Sequence, residues 1–265
     1  MASGNISNMK RILLMFFLGI CLLSVWIYKD GKDLKGTGGQ LKTEDVKPTE
    51  SIKEEIIVGK YKIIVKNVSN YGVKILPNFK EKSTSDLIYE KYNCEILTNG
   101  GLYEESGNPL GLYYLDGVYF GNLKNSSIYN GILGLDKSGN YFIENIEKFD
   151  GNNDTKFLMQ SGPLLIESGI SRKVTLPQSH ARRIIFAKGV GGEDYVVVLY
   201  GLDNYNDGPD FEEVNDILTS LQEKDGITLE SALNLDGGNS SVFIDKDFSI
   251  KESAMVGSFM CFTAD

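Results

Sequence analysis

The sequence predicts an α+β fold: a single sheet-rich domain with one long helix, preceded by an N-terminal transmembrane helix and a linker. Three observations carry this. Short runs rich in β-branched and aromatic residues recur from residue 56 onward, separated by turns rich in Gly, Asn and Asp. Only the stretch after Pro209-Asp210 sustains a long helical period. A charge-free apolar run stands near the N-terminus, and an aperiodic polar stretch follows it. With 265 residues, 42% hydrophobic and 24% charged, the chain is neither collagen-like, disordered nor polytopic.

Lys10 and Arg11 precede the apolar run Ile12 to Tyr28, which reaches roughly 26 Å as a helix. Trp26 and Tyr28 suit the membrane interface, and the basic flank puts the C-terminal part outside. An uncleaved signal anchor over 1–28 is the leading reading, and a cleaved signal peptide is the second. Either exports the domain, as a single-pass membrane protein or a secreted one. A buried soluble helix is the third. Residues 29–55 read as a flexible linker, because their large apolar residues are scattered without period. Cys94 and Cys261 are left as one disulfide or two buried thiols.

Within the domain, 56–265, strands are expected at 56–58, 61–65 and 71–75. A hairpin is expected over 113–120, with Asp116-Gly117 as its type I′ turn, and a second over 132–146. Further strands fall at 157–159, 164–167, 183–187, 195–200, 232–235 and 242–245. Phe211, Val214, Ile217, Leu218 and Leu221 share one helical face, and a shorter helix fits between Ser83 and Tyr92. The acidity resides in this domain: the whole chain carries −9, residues 1–55 hold 8 basic and 7 acidic side chains (+1), and the domain therefore carries −10. Such acidity repels phosphate backbones and argues against nucleic acid as a partner. His180, the only histidine, excludes every mechanism or zinc site that needs two.

Four turns stand out: Thr98-Asn99-Gly100-Gly101 with Gly107 to Gly111, then Gln160-Ser161-Gly162-Pro163, then His180 to Arg183, then Asn234 to Ser241. Paired glycines let backbone approach a ligand and turn N–H groups toward an anion, although any one of them alone is an ordinary tight turn. Arg182 and Arg183 are two of only four arginines, so a planar fork suited to phosphate stands out against a lysine background. On a strand the two point to opposite faces.

Taken in order, Asn99-Gly100-Gly101-Leu102-Tyr103, Gly107 to Leu112, Gln160 to Leu165, Arg182 and Leu233 to Ser241 resemble the phosphodiester glycosidase family. Its lysosomal member removes N-acetylglucosamine from a mannose-6-phosphate diester, and many bacterial members carry exopolysaccharide-related labels. The resemblance spans roughly residues 97–262. It departs at Leu102 and Tyr103, where the family commonly has two phenylalanines, and at Asn239, where it has glycine. It also departs at Phe186, which replaces a glycine and is expected to reshape the pocket.

The resemblance implies hydrolysis of a sugar-1-phosphodiester in a cell-envelope or extracellular glycan. A departing phosphate monoester needs little acid assistance, so the site requires phosphate donors and one carboxylate to activate water or stabilise the oxocarbenium-like cation. Asp236 and Arg182 are the catalytic candidates. Asn99, Gly100, Gly101, Gln160, Ser161, Asn234, Gly237, Gly238 and Ser240 are the substrate-binding ones, and a common site requires them to meet at one cleft. No cofactor is required, and a divalent cation at Asp236 is left open. A non-catalytic glycan-binding or envelope-organising domain is the competing reading, and an Asp236–Arg182 ion pair that merely braces the sheet is the third.

Overall fold

The computed structural model describes residues 56–264 except 152, 153, 175, 177 and 178. The expected anchor and linker lie outside the described residues. Among the described residues, no helix is long and apolar enough to cross a membrane.

Three antiparallel sheets are formed. The largest runs β1 (Ile56–Val58), β2 (Tyr61–Asn67), β13 (Asp194–Gly201), β12 (Arg183–Gly189), β14 (Leu229–Asn234), β10 (Leu164–Glu167) and β11 (Ile170–Ser171). The second runs β16 (Ser249–Ile250), β15 (Phe243–Asp245), β4 (Ile96–Asn99), β17 (Ser258–Thr263) and β3 (Gly72–Pro77). The third runs β6 (Val118–Gly121), β5 (Tyr113–Leu115), β9 (Thr155–Ser161), β7 (Gly131–Asp136) and β8 (Tyr141–Asn145). Two helices, α1 (Ser85–Tyr92) and α2 (Phe211–Lys224), complete the described elements. The sheet-rich α+β class and both helices therefore stand.

Period-2 alternation decides what each sheet face covers. On β12, Ile184 and Phe186 point into a central cluster with Leu133, Phe157, Leu233, Phe243 and Phe262, so all three sheets share one core. Ile185 and Ala187 point the other way, onto Val214, Ile217, Leu218 and Leu221 of α2. Phe186 is fully buried, with its ring 4.8 Å from that of Tyr141. It fills the central core, which corrects the expectation that it shapes a pocket.

The Asp-Gly hairpin forms with Asp116 and Gly117 at φ of 45° and 91°, as a type I′ turn requires. Strands β4 and β17 are absent from the sequence reading because they are covered on both faces and carry no alternation. They lie side by side, with Leu97 opposite Cys261, and Cys94 and Cys261 are joined by a disulfide. The pairing left open by the sequence is thus resolved by two strands that it did not reveal.

Candidate functional site

The segments after β4 and β14 meet end to end. Asp236 N–H donates to Gly100 O (3.1 Å), and Asn99 Nδ2 donates to the Asp236 and Gly100 carbonyls (2.9 and 3.0 Å). Asn99 Oδ1 accepts from Val242 N–H (2.8 Å), so this fully buried amide clasps both ends of the Asp236 segment. Gly100 is required by close approach: a Cβ there would lie 2.3 Å from Ser258 Oγ.

Beyond Asp236 the chain makes one 3-10 turn, Gly238–Ser240, and Gly238 enters it at φ +59°, a left-handed value that favours glycine. Arg182 grips this turn reciprocally. Its carbonyl accepts from Gly238 N–H (2.9 Å), and its Nε donates to Gly238 O (2.9 Å). Arg182 Nη2 also donates to Lys251 O (2.9 Å) and Nη1 to Asn206 Oδ1 (3.4 Å). Arg182 is held through these carbonyls and the Asn206 amide rather than through an ion pair with the Asp236 carboxylate. Burial lowers the Arg182 pKa, against the pull of Glu252.

The glycine amides expected to cradle an anion are used internally. Gly100 N–H donates to Ser258 O (2.8 Å), Gly101 N–H to Met159 Sδ (2.7 Å), Gly237 N–H to Asp236 Oδ1 (2.8 Å), and Gly238 N–H to Arg182 O. The Gln160 side chain is likewise engaged: Oε1 accepts from Leu112 and Lys124 N–H (both 3.0 Å), and Nε2 donates to Lys124 and Tyr129 carbonyls (2.6 and 2.7 Å). It fastens the 121–130 segment to β9. Ser161 Oγ donates to Asn234 O (2.8 Å), and Asn234 Nδ2 donates to Gly162 and Leu235 carbonyls (3.0 and 2.6 Å). Asn234 Oδ1 is buried without a hydrogen-bond partner among the described residues.

Asp236 differs from this satisfied surround. Its residue is half-buried, and desolvation pushes its carboxyl up to about 7, against the hydrogen bond from Gly237 N–H and the nearby Ser240 hydroxyl. A carboxyl at that value exchanges protons near neutrality, as general acid–base chemistry needs. Arg183 packs behind Gly237, where an added Cβ would lie 3.7 Å from its Nη1, but its bonds go elsewhere: its guanidinium lies 4.1 Å from the Phe211 ring centre, Nε donates to Pro209 O (3.2 Å), and burial lowers its pKa to about 10.

The expected single cleft is not among the two clefts described, of about 280 and 610 Å³. The first is lined by Glu144, Glu167, Lys188 and Glu230, the second by Arg172, Lys173, Phe211 and Asp216, and neither by the Asp236 turn. Among the described residues the convergent metal-ligand set is His180, Asp210 and Glu213, with ligand atoms within 4.8 Å of one another, rather than a set around Asp236. That group could hold a cation, although Asp210 and Glu213 already form a capping box at α2.

Tyr103, Met255 and Ser258 border the turn and were not singled out in the sequence as site residues. Tyr103 OH lies 3.1 Å from Ser240 Oγ and donates to Met255 O. Its position two residues after Gly101 was the available signal; Met255 and Ser258 act through backbone carbonyls, which sequence does not distinguish.

The sequence profile of the phosphodiester glycosidase family matches residues 92–257. Among solved structures, the zebrafish N-acetylglucosamine-1-phosphodiester alpha-N-acetylglucosaminidase catalytic domain, auto-inhibited by pro-peptide, is similar at TM-score 0.55 and 15% identity, over 77% of this chain and 83% of that one. A hypothetical protein from Synechocystis is similar at TM-score 0.54 and 13% identity, over 77% of this chain and 59% of that one. At these identities the likeness is one of fold. A sequence search of curated proteins finds no match.

Proposed function

This chain belongs to the phosphodiester glycosidase family, and from that premise we propose that it hydrolyses a sugar-1-phosphodiester in a cell-envelope or extracellular glycan. The observation that carries the proposal is the Asp236 carboxyl, raised to about 7 on a turn clamped from both sides. Its ionised form accepts a proton from the water that attacks the anomeric carbon, and its charge also stabilises the oxocarbenium-like transition state. Arg182, fixed through three of its nitrogens, supplies a positive charge beside the turn that need not reorganise as phosphate departs.

The domain, 56–265, works outside the cytoplasm in this reading, held by the 1–28 anchor and the 29–55 linker or released by cleavage. The Cys94–Cys261 disulfide supports an oxidising compartment. A second reading, a non-catalytic glycan-binding or envelope-organising domain, is favoured by one observation: the Arg182 guanidinium and all four glycine amides already have internal partners.

The test is sugar release from a panel of UDP-sugars and sugar-1-phosphodiesters by the purified full-length protein. Turnover of at least one diester, with the rate rising through about pH 7 as Asp236 ionises, is expected. Binding without turnover across the panel would replace the hydrolase with the binding module.

A further inference from the structure

We propose that Tyr205 is a substrate-binding residue, the platform on which a neutral sugar ring of the substrate stacks beside Arg182. The inference rests on the hydrolase reading of the Asp236 turn and adds the part of that site that takes sugar rather than phosphate. Tyr205 belongs to the loop 202–208, between β13 and the start of α2, and is 55% exposed. Its ring is nevertheless held in place. It stacks on that of buried Tyr200, with centroids 5.3 Å apart and planes at 11°, and Phe248 lies 6.3 Å from it. Tyr200 also stacks on Phe248 at 5.4 Å, and both rings belong to the central core. The loop backbone is fixed as well: Gly201 N–H donates to Asp207 O (2.9 Å), Asp207 N–H to Asn204 O (3.0 Å) and Leu202 N–H to Lys60 O (2.9 Å). Arg182 adjoins both aromatic segments. Its Nη1 donates to Asn206 Oδ1, next to Tyr205 in the chain, and its Nη2 to Lys251 O, just beyond Phe248. Gly208 closes the loop against the arginine's own backbone, since a Cβ there would lie 2.6 Å from Arg182 N.

A single exposed tyrosine is ordinary on a protein surface. This one differs in being immobilised by stacking, in adjoining the arginine of the candidate site, and in its neighbours. Asp203, Asn204, Asn206 and Asp207 flank it, all exposed. A pyranose presents apolar C–H groups on its faces and hydroxyls around its rim. A fixed aromatic ring set among amides and carboxylates answers both. Asn204 Oδ1 accepts from Asn206 N–H (3.0 Å), and Asp207 Oδ1 accepts from Gly208 N–H (2.8 Å), so those two side chains are preset. Groups ordered in advance lose less freedom on binding. Charge then sorts the two ends of the substrate. Asp203 and Asp207 repel a phosphate, whereas Arg182 attracts one. The neutral ring therefore goes to Tyr205 and the phosphate to the side of Arg182.

The experiment is saturation-transfer difference NMR on the detergent-solubilised full-length protein. The probes are the methyl glycosides of glucose, galactose, mannose and N-acetylglucosamine. Wild type is compared with Tyr205→Phe, Tyr205→Trp and Tyr205→Leu; leucine still covers Tyr200 but has no flat face. At least one glycoside should receive saturation at its ring protons in wild type, keep it with phenylalanine or tryptophan, and lose it with leucine. On a diester that turns over, Tyr205→Leu should raise KM about 3–10-fold with kcat changed less, and Tyr205→Trp should restore KM. Absence of glycoside binding in wild type would overturn the proposal, and so would binding that Tyr205→Leu keeps. A second readout does not depend on how well the leucine variant folds. In ¹³C-tyrosine-labelled protein, the glycoside should shift the ring signal that is missing from Tyr205→Phe, and an unmoved signal overturns the proposal. Neither NMR readout needs turnover. Tyr205-dependent sugar binding with no diester hydrolysed would sink the hydrolase reading alone, and hydrolysis with an unmoved Tyr205 signal would sink this proposal alone.

Discussion

Asp210 and Asp236 occupy similar places in the chain. Each stands just before a helical turn, and each lies beside one member of the Arg182-Arg183 pair. At Asp210 the carboxylate accepts two backbone N–H groups, from Glu212 and Glu213 (3.0 and 2.9 Å), and Glu213 reciprocates to Asp210 N–H (3.1 Å). That is a complete capping box at the start of a 14-residue helix. At Asp236 the turn is three residues long, one neighbouring N–H answers the carboxylate, and burial dominates. Where hydrogen bonds satisfy a charge, the residue holds structure. Where burial outweighs them, the residue stores a protonation change that chemistry can use.

The largest effect should separate the two aspartates by activity. Asp236→Asn keeps shape and reach but removes basicity, and should lower kcat by about 10²–10⁴-fold. Asp210→Asn should leave kcat within about two-fold, since asparagine also caps helices. Steady-state kinetics on any diester found to turn over checks both. Equal losses at the two positions would erase the contrast, and retained turnover in Asp236→Asn would remove Asp236 from the mechanism.

Stability against pH should run in the opposite sense to activity. The folded Asp236 value, about 7, lies above its ordinary value of 3.8, so the folded state holds this proton more tightly than the unfolded chain. Its contribution is fully present below about pH 4 and is lost as pH rises through about 7. The stability of Asp236→Asn relative to wild type should therefore improve by on the order of 2–4 kcal/mol between about pH 4 and about pH 8. Urea denaturation at a series of pH values measures this, and a flat difference would mean that the carboxyl titrates normally.

Asp210 should show the reverse balance. Asp210→Ala removes the acceptor for two N–H groups and should cost about 1–2 kcal/mol of stability. Activity per folded molecule should be unchanged. A loss of turnover without a loss of stability would put Asp210 in the site, with His180 and Glu213 as its metal-binding companions.

How far such distinctions can be read from sequence depends on how far away the partners lie. The Asp116-Gly117 hairpin and the start of α2 at Pro209-Asp210 are legible because their causes sit within a few residues. The Asp236 turn is visible for the same reason. Asn99, Gln160 and Asn234 stand out as polar residues, but their partners lie 31 to 143 residues away where the bonds are structural clasps. A buried amide that fastens a loop and one that awaits a sugar look alike until the loop is placed. Strands β4 and β17, apolar on both faces, hide for want of alternation, and the Cys94–Cys261 pairing hides with them.

The smallest effect tests the arginines that accompany the two aspartates. Arg183 combines a guanidinium face over Phe211 at 4.1 Å with an Nε bond to Pro209 O, both at the approach to α2. Lysine keeps the charge but offers neither the planar face nor the fork, so Arg183→Lys should cost about 0.5–1 kcal/mol in thermal or urea denaturation. It should not alter KM, because its hydrogen bonds go to Pro209 O and Ser179 O rather than to the Asp236 turn. Arg182→Lys gives up the Nε bond to Gly238 O and at least one of the bonds to Lys251 O and Asn206 Oδ1. Its stability cost should be of the same order, but it loosens the Asp236 turn, so kcat/KM should fall while that of Arg183→Lys holds. Two neighbouring residues, the same substitution and similar stability costs then differ in one respect, which aspartate each arginine supports. If kcat/KM falls equally in both variants, the division of labour between the two turns is wrong.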